Sequence, residues 1–205
     1  IARPFNIIPD SFFFTLLCAI ISLTGVAIRA MTVGYLPRKT EDEVTSGVKS
    51  TELITQGMYS IVRHPIALGN LLAWYGIILY VGVSWFIIGA ILLYTLFTYQ
   101  ILLCEEEELA KRFGDRYSLW ASYTNALIPN RKLWIRSRDK FSLMQVLRRE
   151  YIGFFFLVLT FVTINLLRNR VIEFTWSLSP LWTVVGGATL LFTIFIRLII
   201  KLINK

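Results

Sequence analysis

Two short segments carry the residue types and spacings from which chemistry could arise. The first joins Gly57 and Tyr59 to Arg63-His64-Pro65, at the start of an apolar run. Proline suits the first helical turn, so free backbone N–H groups and the positive end of the helix dipole lie beside Arg63 and His64. Such a helix start can hold a carboxylate or a phosphate. An ordinary helix start, with a snorkelling arginine and a capping histidine at a membrane interface, explains the same residues.

The second segment is acidic, directly follows another apolar run, and is predicted to continue that run into water as a helix over residues 105–116. The glutamates Glu105 to Glu108 come first, and the basic Lys111 and Arg112 follow them. A carboxylate at the end of a membrane span is expensive unless it is paired or hydrated. Arg63 or a cationic ligand could therefore pair with Glu105. The alternative is a solvated acidic helix face, which is the expectation for Glu107 and Glu108.

Apolar helices must position these segments. Five apolar runs approach the roughly 20 residues that a bilayer-spanning helix needs. They are Phe12 to Ile28, Ile66 to Val81, Trp85 to Leu103, Tyr151 to Leu167 and Leu181 to Ile200. Composition agrees, because 56% of the 205 residues are hydrophobic and only 17% are charged. The sequence therefore predicts an all-α, polytopic membrane protein with about five transmembrane helices.

Basic residues predict the orientation and the partners. Lysine and arginine concentrate in residues 29–63, in residues 104–150 and at the C-terminus. The positive-inside rule places these segments in the cytosol, with the N-terminus outside, and predicts a cofactor pocket on the cytosolic face. The net charge of +8 then indicates anionic lipid headgroups as partners rather than nucleic acid. With one histidine and no Cys/His cluster, we expect no metal site.

Together the two segments resemble the isoprenylcysteine carboxyl methyltransferase and phospholipid methyltransferase superfamily, over residues 53–130. The shared pattern is Gly57-x-Tyr59-x-x-x-Arg63-His64-Pro65-x-x-x-Gly69, then Glu105-Glu106-x-x-Leu109-x-x-x-Phe113-Gly114-x-x-Tyr117, and finally Ile128-Pro129. The resemblance implies a catalytic core that uses S-adenosylmethionine at the cytosolic helix ends. It also implies a lipid or lipid-linked acceptor that arrives from the bilayer. Ala67 and Trp120 depart from the pattern, because the family often has tyrosine at both positions.

This resemblance also divides the chain and assigns roles to residues. In a single membrane domain, 1–205, the core 53–130 precedes a basic interfacial segment, 131–150, and an additional transmembrane helix pair, 151–205. The expected catalytic residues are Arg63, His64 and Glu105. The expected cofactor-binding residues are Tyr59, His64, Pro65, Gly69, Glu105, Glu106 and Tyr117. The expected acceptor-binding residues are Arg63, Arg29, Trp74 and Arg148.

Three methyl acceptors compete. A lipid phosphate is favoured, because Arg29-x-x-Thr32-Val33-Gly34-Tyr35-x-Pro37 and Asn70 are similar to a bacterial branch that includes lipid A phosphate methyltransferases. This branch would place the protein in a bacterial inner membrane. The alternatives are a prenylcysteine carboxylate and the amine of phosphatidylethanolamine. Of the three, the amine requires a base, for which Glu105 and His64 are candidates.

Two readings lie outside the methyltransferase class. Membrane reductases that use NADPH resemble this superfamily in their C-terminal region, but they are usually longer. A non-enzymatic membrane scaffold or transport component is the other reading. Transport predicts polar residues along several spans. The apolar runs here are almost free of charge, which argues against a transport path.

Overall fold

The computed structural model describes residues 11–37, 52–172, 174 and 176–203. Its α-helices are α1 (Phe12–Gly34), α2 (Met58–Ile61), α3 (Pro65–Val81), α4 (Ser84–Phe113), α5 (Asp115–Tyr123), α6 (Leu143–Ile172) and α7 (Pro180–Ile203). A short 3-10 turn, Arg131–Leu133, lies between α5 and α6. The fold is all-α, as predicted. Glycine, proline and polar residues predict a loop over residues 29–52. Helix α1 instead extends to Gly34, and residues 38–51 lie outside the described residues.

Four of these helices, α1, α4, α6 and α7, are long and apolar enough to cross a bilayer. Helix α3 is also apolar but has only 17 residues, near the lower limit for a span. The predicted polytopic helical membrane fold is confirmed, with the second predicted span as the short one. Pro65 stands at the start of α3, where its missing N–H leaves no intrahelical bond unmade.

Helix α3 is the central helix, and glycines let α1 lie against it. A Cβ on Gly69 would lie 2.7 Å from the carbonyl oxygen of Gly25 and 2.6 Å from Cγ of Arg29. The Ser22 hydroxyl in α1 donates to the carbonyl of Ala73 in α3 at 2.8 Å. Close backbone approach through small residues is a common way to pack membrane helices. The group that approaches Gly69 is thus α1, at a position where we expected the cofactor.

A tight hairpin joins α3 to α4. Gly82 has φ of 76° and its N–H donates to the Leu79 carbonyl at 3.0 Å, which ends α3 in the left-handed conformation that glycine tolerates. Helix α4 then runs without interruption for 30 residues, or about 45 Å. This length exceeds the bilayer core of about 30 Å. The acidic segment therefore continues the span beyond the apolar region, as predicted, and α4 ends before Gly114.

Polar contacts tie the last two helices to the far end of α3. The Tyr80 hydroxyl accepts hydrogen bonds from Trp182 Nε1 at 2.8 Å and from Asn165 Nδ2 at 3.2 Å. Arg168 donates to the Tyr80 backbone carbonyl at 2.6 Å. All four residues are buried. Because buried polar groups need partners in an apolar medium, this cluster fixes how α6 and α7 sit on α3.

We expect Gly25→Ala to lower the free energy of unfolding by about 1–3 kcal/mol, because the added Cβ forces α1 away from α3. That atom would lie 2.6 Å from the backbone nitrogen of Ala73. Gly89→Ala in α4 is the matched control, since its Cβ would meet nothing within 4 Å. Thermal unfolding in detergent measures both. A Gly25→Ala protein as stable as the wild type would contradict the packing described here.

Candidate active site

A cavity of about 620 Å³ opens between α3, α4 and the first turns of α6. This volume falls within the roughly 300–1,000 Å³ of small-molecule sites. The residues of α4 that line the cavity recur every three or four positions, so one face of the helix forms this wall. That face comprises Tyr94, Phe97, Thr98, Ile101, Leu102, Glu105, Glu108, Leu109, Arg112 and Phe113. The lined stretch is roughly 30 Å long, which is enough to pass from membrane depth to the polar boundary.

The two ends of this cavity differ in chemistry. Toward the end of α4 the lining is charged, with Arg63, His64, Glu105, Glu108 and Arg149. Toward the middle of α4 it is mainly apolar, where Phe97 and Ile101 face Ile66 and Ala67 of α3. One continuous cavity is therefore suited to a polar group at one end and to a hydrocarbon group at the other.

Glu106 holds the Arg63-His64 pair in place at the charged end. Arg63 Nη2 donates to Glu106 Oε1 at 2.8 Å, and His64 Nε2 lies 3.1 Å from the same oxygen. Glu105 Oε2 lies 3.5 Å from His64 Nδ1, and the Glu105 side chain is 56% exposed against 23% for Glu106. The expected pairing of a boundary glutamate with Arg63 is therefore made by Glu106. Glu105 lines the cavity.

A loop after α5 clasps the same segment through its backbone. The N–H groups of Arg63 and His64 donate to the carbonyls of Asn125 and Ala126 at 2.8 and 3.1 Å. Asn130 N–H donates to the Ile61 carbonyl at 2.8 Å. Sequence reasoning missed this clasp, and its only signal was the Ile128-Pro129 pair that closes the pattern. The loop therefore holds the backbone of Arg63 and His64, while Glu106 holds their side chains.

Two tyrosines of the motif remain neutral phenols. Burial and the charge of Glu105 raise the pKa of Tyr59 to about 12, although Arg149 acts in the opposite direction. Burial and the charge of Glu106 likewise raise the pKa of Tyr117, against the effect of Arg63. Tyr59 lines the cavity, whereas Tyr117 packs against Trp120 with ring centroids 5.8 Å apart. Neither phenol can act as a base at neutral pH.

Several buried polar atoms around α5 lack a hydrogen-bond partner among the described residues. They are Arg63 Nε, Tyr117 Oη, Trp120 Nε1 and Thr124 Oγ1. Trp120 also lines the cavity. An unsatisfied buried polar atom costs roughly 1–3 kcal/mol, so such a group usually marks a bound water or ligand. This concentration beside the charged end is what a site for a polar ligand would show.

Of the residues expected to bind the acceptor, Arg63 lines the cavity, whereas Arg29, Trp74 and Arg148 are not among its described lining residues. Arg29 forms an ion pair with Glu150 and a hydrogen bond with Asn70, which itself lines the cavity. Trp74 is 47% exposed, and its ring lies 6.0 Å from that of Tyr94. Arg148 is exposed and is not among the described lining residues. Its neighbour Arg149 lines the cavity instead, because consecutive helical residues point about 100° apart.

The structure adds residues that sequence reasoning missed. Glu108 was expected to be solvated; its side chain is exposed, and it also lines the cavity with Arg112. The three-to-four-residue spacing of Phe97, Ile101, Glu105 and Glu108 was the available signal. Glu107 does lie on the exposed face, where it pairs with Lys111 at 2.7 Å. Within the described ranges, no group of three or more His, Cys, Asp or Glu side chains could hold a metal ion.

Comparison with known proteins agrees with this geometry. The family model described as phospholipid methyltransferase matches residues 13–116, just over half of the chain. No curated protein and no solved structure matches the chain. The matched range covers α1 from Phe13 through α4, with the Arg-His-Pro and Glu-Glu segments, and it ends within α5, before α6 and α7. The chain therefore belongs to the phospholipid methyltransferase family and is an integral membrane methyltransferase of the phospholipid and isoprenylcysteine type.

Proposed function

We propose that the protein transfers a methyl group from S-adenosylmethionine to an anionic lipid or lipid-linked acceptor. The observation that carries this proposal is the single cavity that joins a charged end to an apolar stripe on α4. A soluble cofactor suits the charged end, and a lipid chain suits the apolar stripe. The membrane-spanning helices and the family membership support the same assignment.

The residues at the charged end fit S-adenosylmethionine. This cofactor combines an ammonium, a sulfonium, a carboxylate, a ribose and an adenine. The carboxylates of Glu105 and Glu108 suit its cationic groups and its hydroxyl groups, and Arg63 suits its carboxylate. The unpartnered Trp120 Nε1 provides a further donor beside the cavity. Among the predicted cofactor residues, Glu106 and Gly69 would act indirectly, by fixing Arg63-His64 and by packing α1 on α3.

The chain's contribution to the reaction is mainly positioning. When bound, S-adenosylmethionine supplies an electrophilic methyl group. The acceptor atom bonds to the methyl carbon as the carbon–sulfur bond breaks and leaves its electron pair on sulfur. His64 and Glu105 would orient the cofactor at the end of α4. The apolar α4 face would hold the acceptor's chain and exclude water. Fixed relative positions of two reactants supply most of what an in-line displacement needs.

An anionic acceptor requires less of this site than an amine does. A phosphate or carboxylate oxygen is already a nucleophile, whereas an ammonium must first lose a proton. A lipid phosphate such as that of lipid A is the acceptor that the sequence resemblance favours, and a prenylcysteine carboxylate shares its charge. For phosphatidylethanolamine, His64 and Glu105 would have to supply the base. The cytosolic face of a bacterial inner membrane is the location proposed with the lipid phosphate.

We expect His64→Ala and Glu105→Gln to weaken S-adenosylmethionine binding at least about tenfold, because each removes a polar group from the charged end. Glu107→Gln is the matched control for Glu105→Gln, since it makes the same change on the solvent face of α4. Isothermal titration calorimetry on the purified protein in detergent measures the affinities. Thermal unfolding of each variant shows whether the fold is kept.

The same titration separates the classes of protein. Saturable binding of S-adenosylmethionine and S-adenosylhomocysteine, without binding of NADPH, is the expected result. Binding of NADPH alone would identify a reductase. Binding of none of these compounds by the wild type would reject the methyltransferase assignment of the cavity and favour a scaffold.

We expect Tyr59→Phe to leave the pH profile of S-adenosylmethionine binding unchanged between pH 6 and 10. The pKa of Tyr59 is about 12, so its phenol stays protonated across this interval. Because a raised pKa favours the protonated form in the folded protein, the stability it contributes is lost only as the pH rises from about 10 toward 12. Calorimetric titrations at several pH values test this. An alkaline limb that moves in Tyr59→Phe would contradict it.

A further inference from the structure

Helix α6 lies beyond the range of the family model, yet its first turns dock on the end of α1. Ser142 N–H donates to the Gly34 carbonyl at 2.9 Å. The Gln145 side chain donates to the Leu36 carbonyl at 3.4 Å, and the Phe141 and Tyr35 rings pack with centroids 5.2 Å apart. These contacts bring the start of α6 beside Leu36, which lines the cavity.

An ion pair then sets the rotation of α6 about its own axis. Arg29 of α1 donates through Nε and Nη2 to the two oxygens of Glu150, each at 2.9 Å. The same guanidinium also donates to Asn70 of α3. The Glu150 side chain is only 10% exposed. Because residues 149 and 150 point about 100° apart, holding Glu150 against α1 and α3 turns Arg149 toward the cavity.

The cavity is therefore lined by walls of different charge. Helix α4 provides the carboxylates of Glu105 and Glu108, and α6 provides the guanidinium of Arg149. Tyr59 lines the same cavity, where the charge of Glu105 raises its pKa and the charge of Arg149 lowers it. Arg63 and Arg112 also line the cavity, where Arg63 contacts Glu106 and Arg112 is exposed near the outer end of α4. Arg149 is half-buried and lines the cavity from α6.

We propose that Arg149 is the specificity-determining residue that binds the anionic group of the lipid acceptor. This inference rests on the proposed function and names the residue that selects the acceptor by charge. A guanidinium forms paired, charge-assisted hydrogen bonds with a phosphate or a carboxylate, and it repels an ammonium. The carboxylates of Glu105 and Glu108 on α4 have the charge that suits the cationic groups of the cofactor. The two reactants would thus bind to charged groups on different helices, and only α4 belongs to the part of the chain that the family model matches.

The test measures binding of two short-chain lipid probes to the purified protein in neutral detergent, with S-adenosylhomocysteine present. Dihexanoyl phosphatidic acid provides an anionic phosphate, and dihexanoyl phosphatidylcholine is the zwitterionic comparison. We expect the wild type to prefer phosphatidic acid. We expect Arg149→Ala to weaken phosphatidic acid binding about tenfold or more while S-adenosylhomocysteine binds as before.

Two other arginines make the comparison specific. Arg136→Ala makes the same charge change at an exposed position of the basic segment and controls for surface attraction of the anionic probe. Arg148→Ala is the direct rival on the adjacent position of α6. An effect of Arg148→Ala without one of Arg149→Ala would overturn the proposal. If Arg149→Ala does not fold, Arg149→Gln removes the charge and keeps a polar side chain of similar width.

The remaining outcomes separate this proposal from the proposed function. Unchanged phosphatidic acid affinity in Arg149→Ala, or a wild type without preference for phosphatidic acid, would overturn the role of Arg149. Loss of S-adenosylhomocysteine binding alone in Arg149→Ala would also overturn it, and would assign Arg149 to the cofactor's carboxylate. If the wild type binds no S-adenosylhomocysteine but phosphatidic acid binding still depends on Arg149, the anion site stands and the methyltransferase assignment fails.

Discussion

Pairing of charge at the membrane boundary is the constraint on which this structure depends. A glutamate at the end of a membrane span is expensive to leave alone, and Glu106 is satisfied by Arg63 and His64 together. That contact ties the end of α4 to the start of α3, although 42 positions separate His64 from Glu106. With Glu106 engaged, Glu105 one position earlier is left to line the cavity. The pairing thus determines which carboxylate a ligand can meet.

Helix α6, the first helix after the core, is held by a polar contact near each of its ends. Near the charged end, Glu150 of α6 pairs with Arg29 of α1. Near the other end, Arg168 of α6 donates to the Tyr80 carbonyl of α3. Because a charged group inside an apolar medium accepts few alternatives to its partner, both contacts restrict sliding and rotation of α6. Helix α6 therefore contributes Arg149 to the cavity wall and is also long and apolar enough to span the membrane.

Sequence reasoning anticipated the features that depend on local pattern. Apolar length identified the helices, Pro65 marked the start of α3, and the acidic run correctly predicted that α4 continues past its apolar part. It also brought together the Arg-His-Pro and Glu-Glu segments, whose contact the structure shows. Features that depend on how one helix is rotated against another were not accessible. Arg148 and Arg149 are identical in type and adjacent in sequence, so no periodicity distinguishes them.

Contacts made by glycines and by backbone groups were also inaccessible from the sequence. Gly69 was expected among the cofactor-binding residues, and the sequence did not show that α1 packs against it. The clasp of residues 125–130 on Arg63 and His64 uses backbone groups, which every residue carries. Such contacts leave almost no trace in residue type. Composition therefore located the site, while the identity of its individual contacts required the three-dimensional arrangement.

The Arg29–Glu150 pair has a consequence for the order of biosynthesis. These partners are 121 positions apart, so at about 5–20 residues per second the ribosome delivers Glu150 on the order of 10 s after Arg29. During that interval Arg29 has Asn70 as its neighbour but lacks its carboxylate. The unfinished protein therefore carries an uncompensated positive charge at the polar end of its first helix. A chain that stalls before α6 inserts would keep this charge without its carboxylate partner.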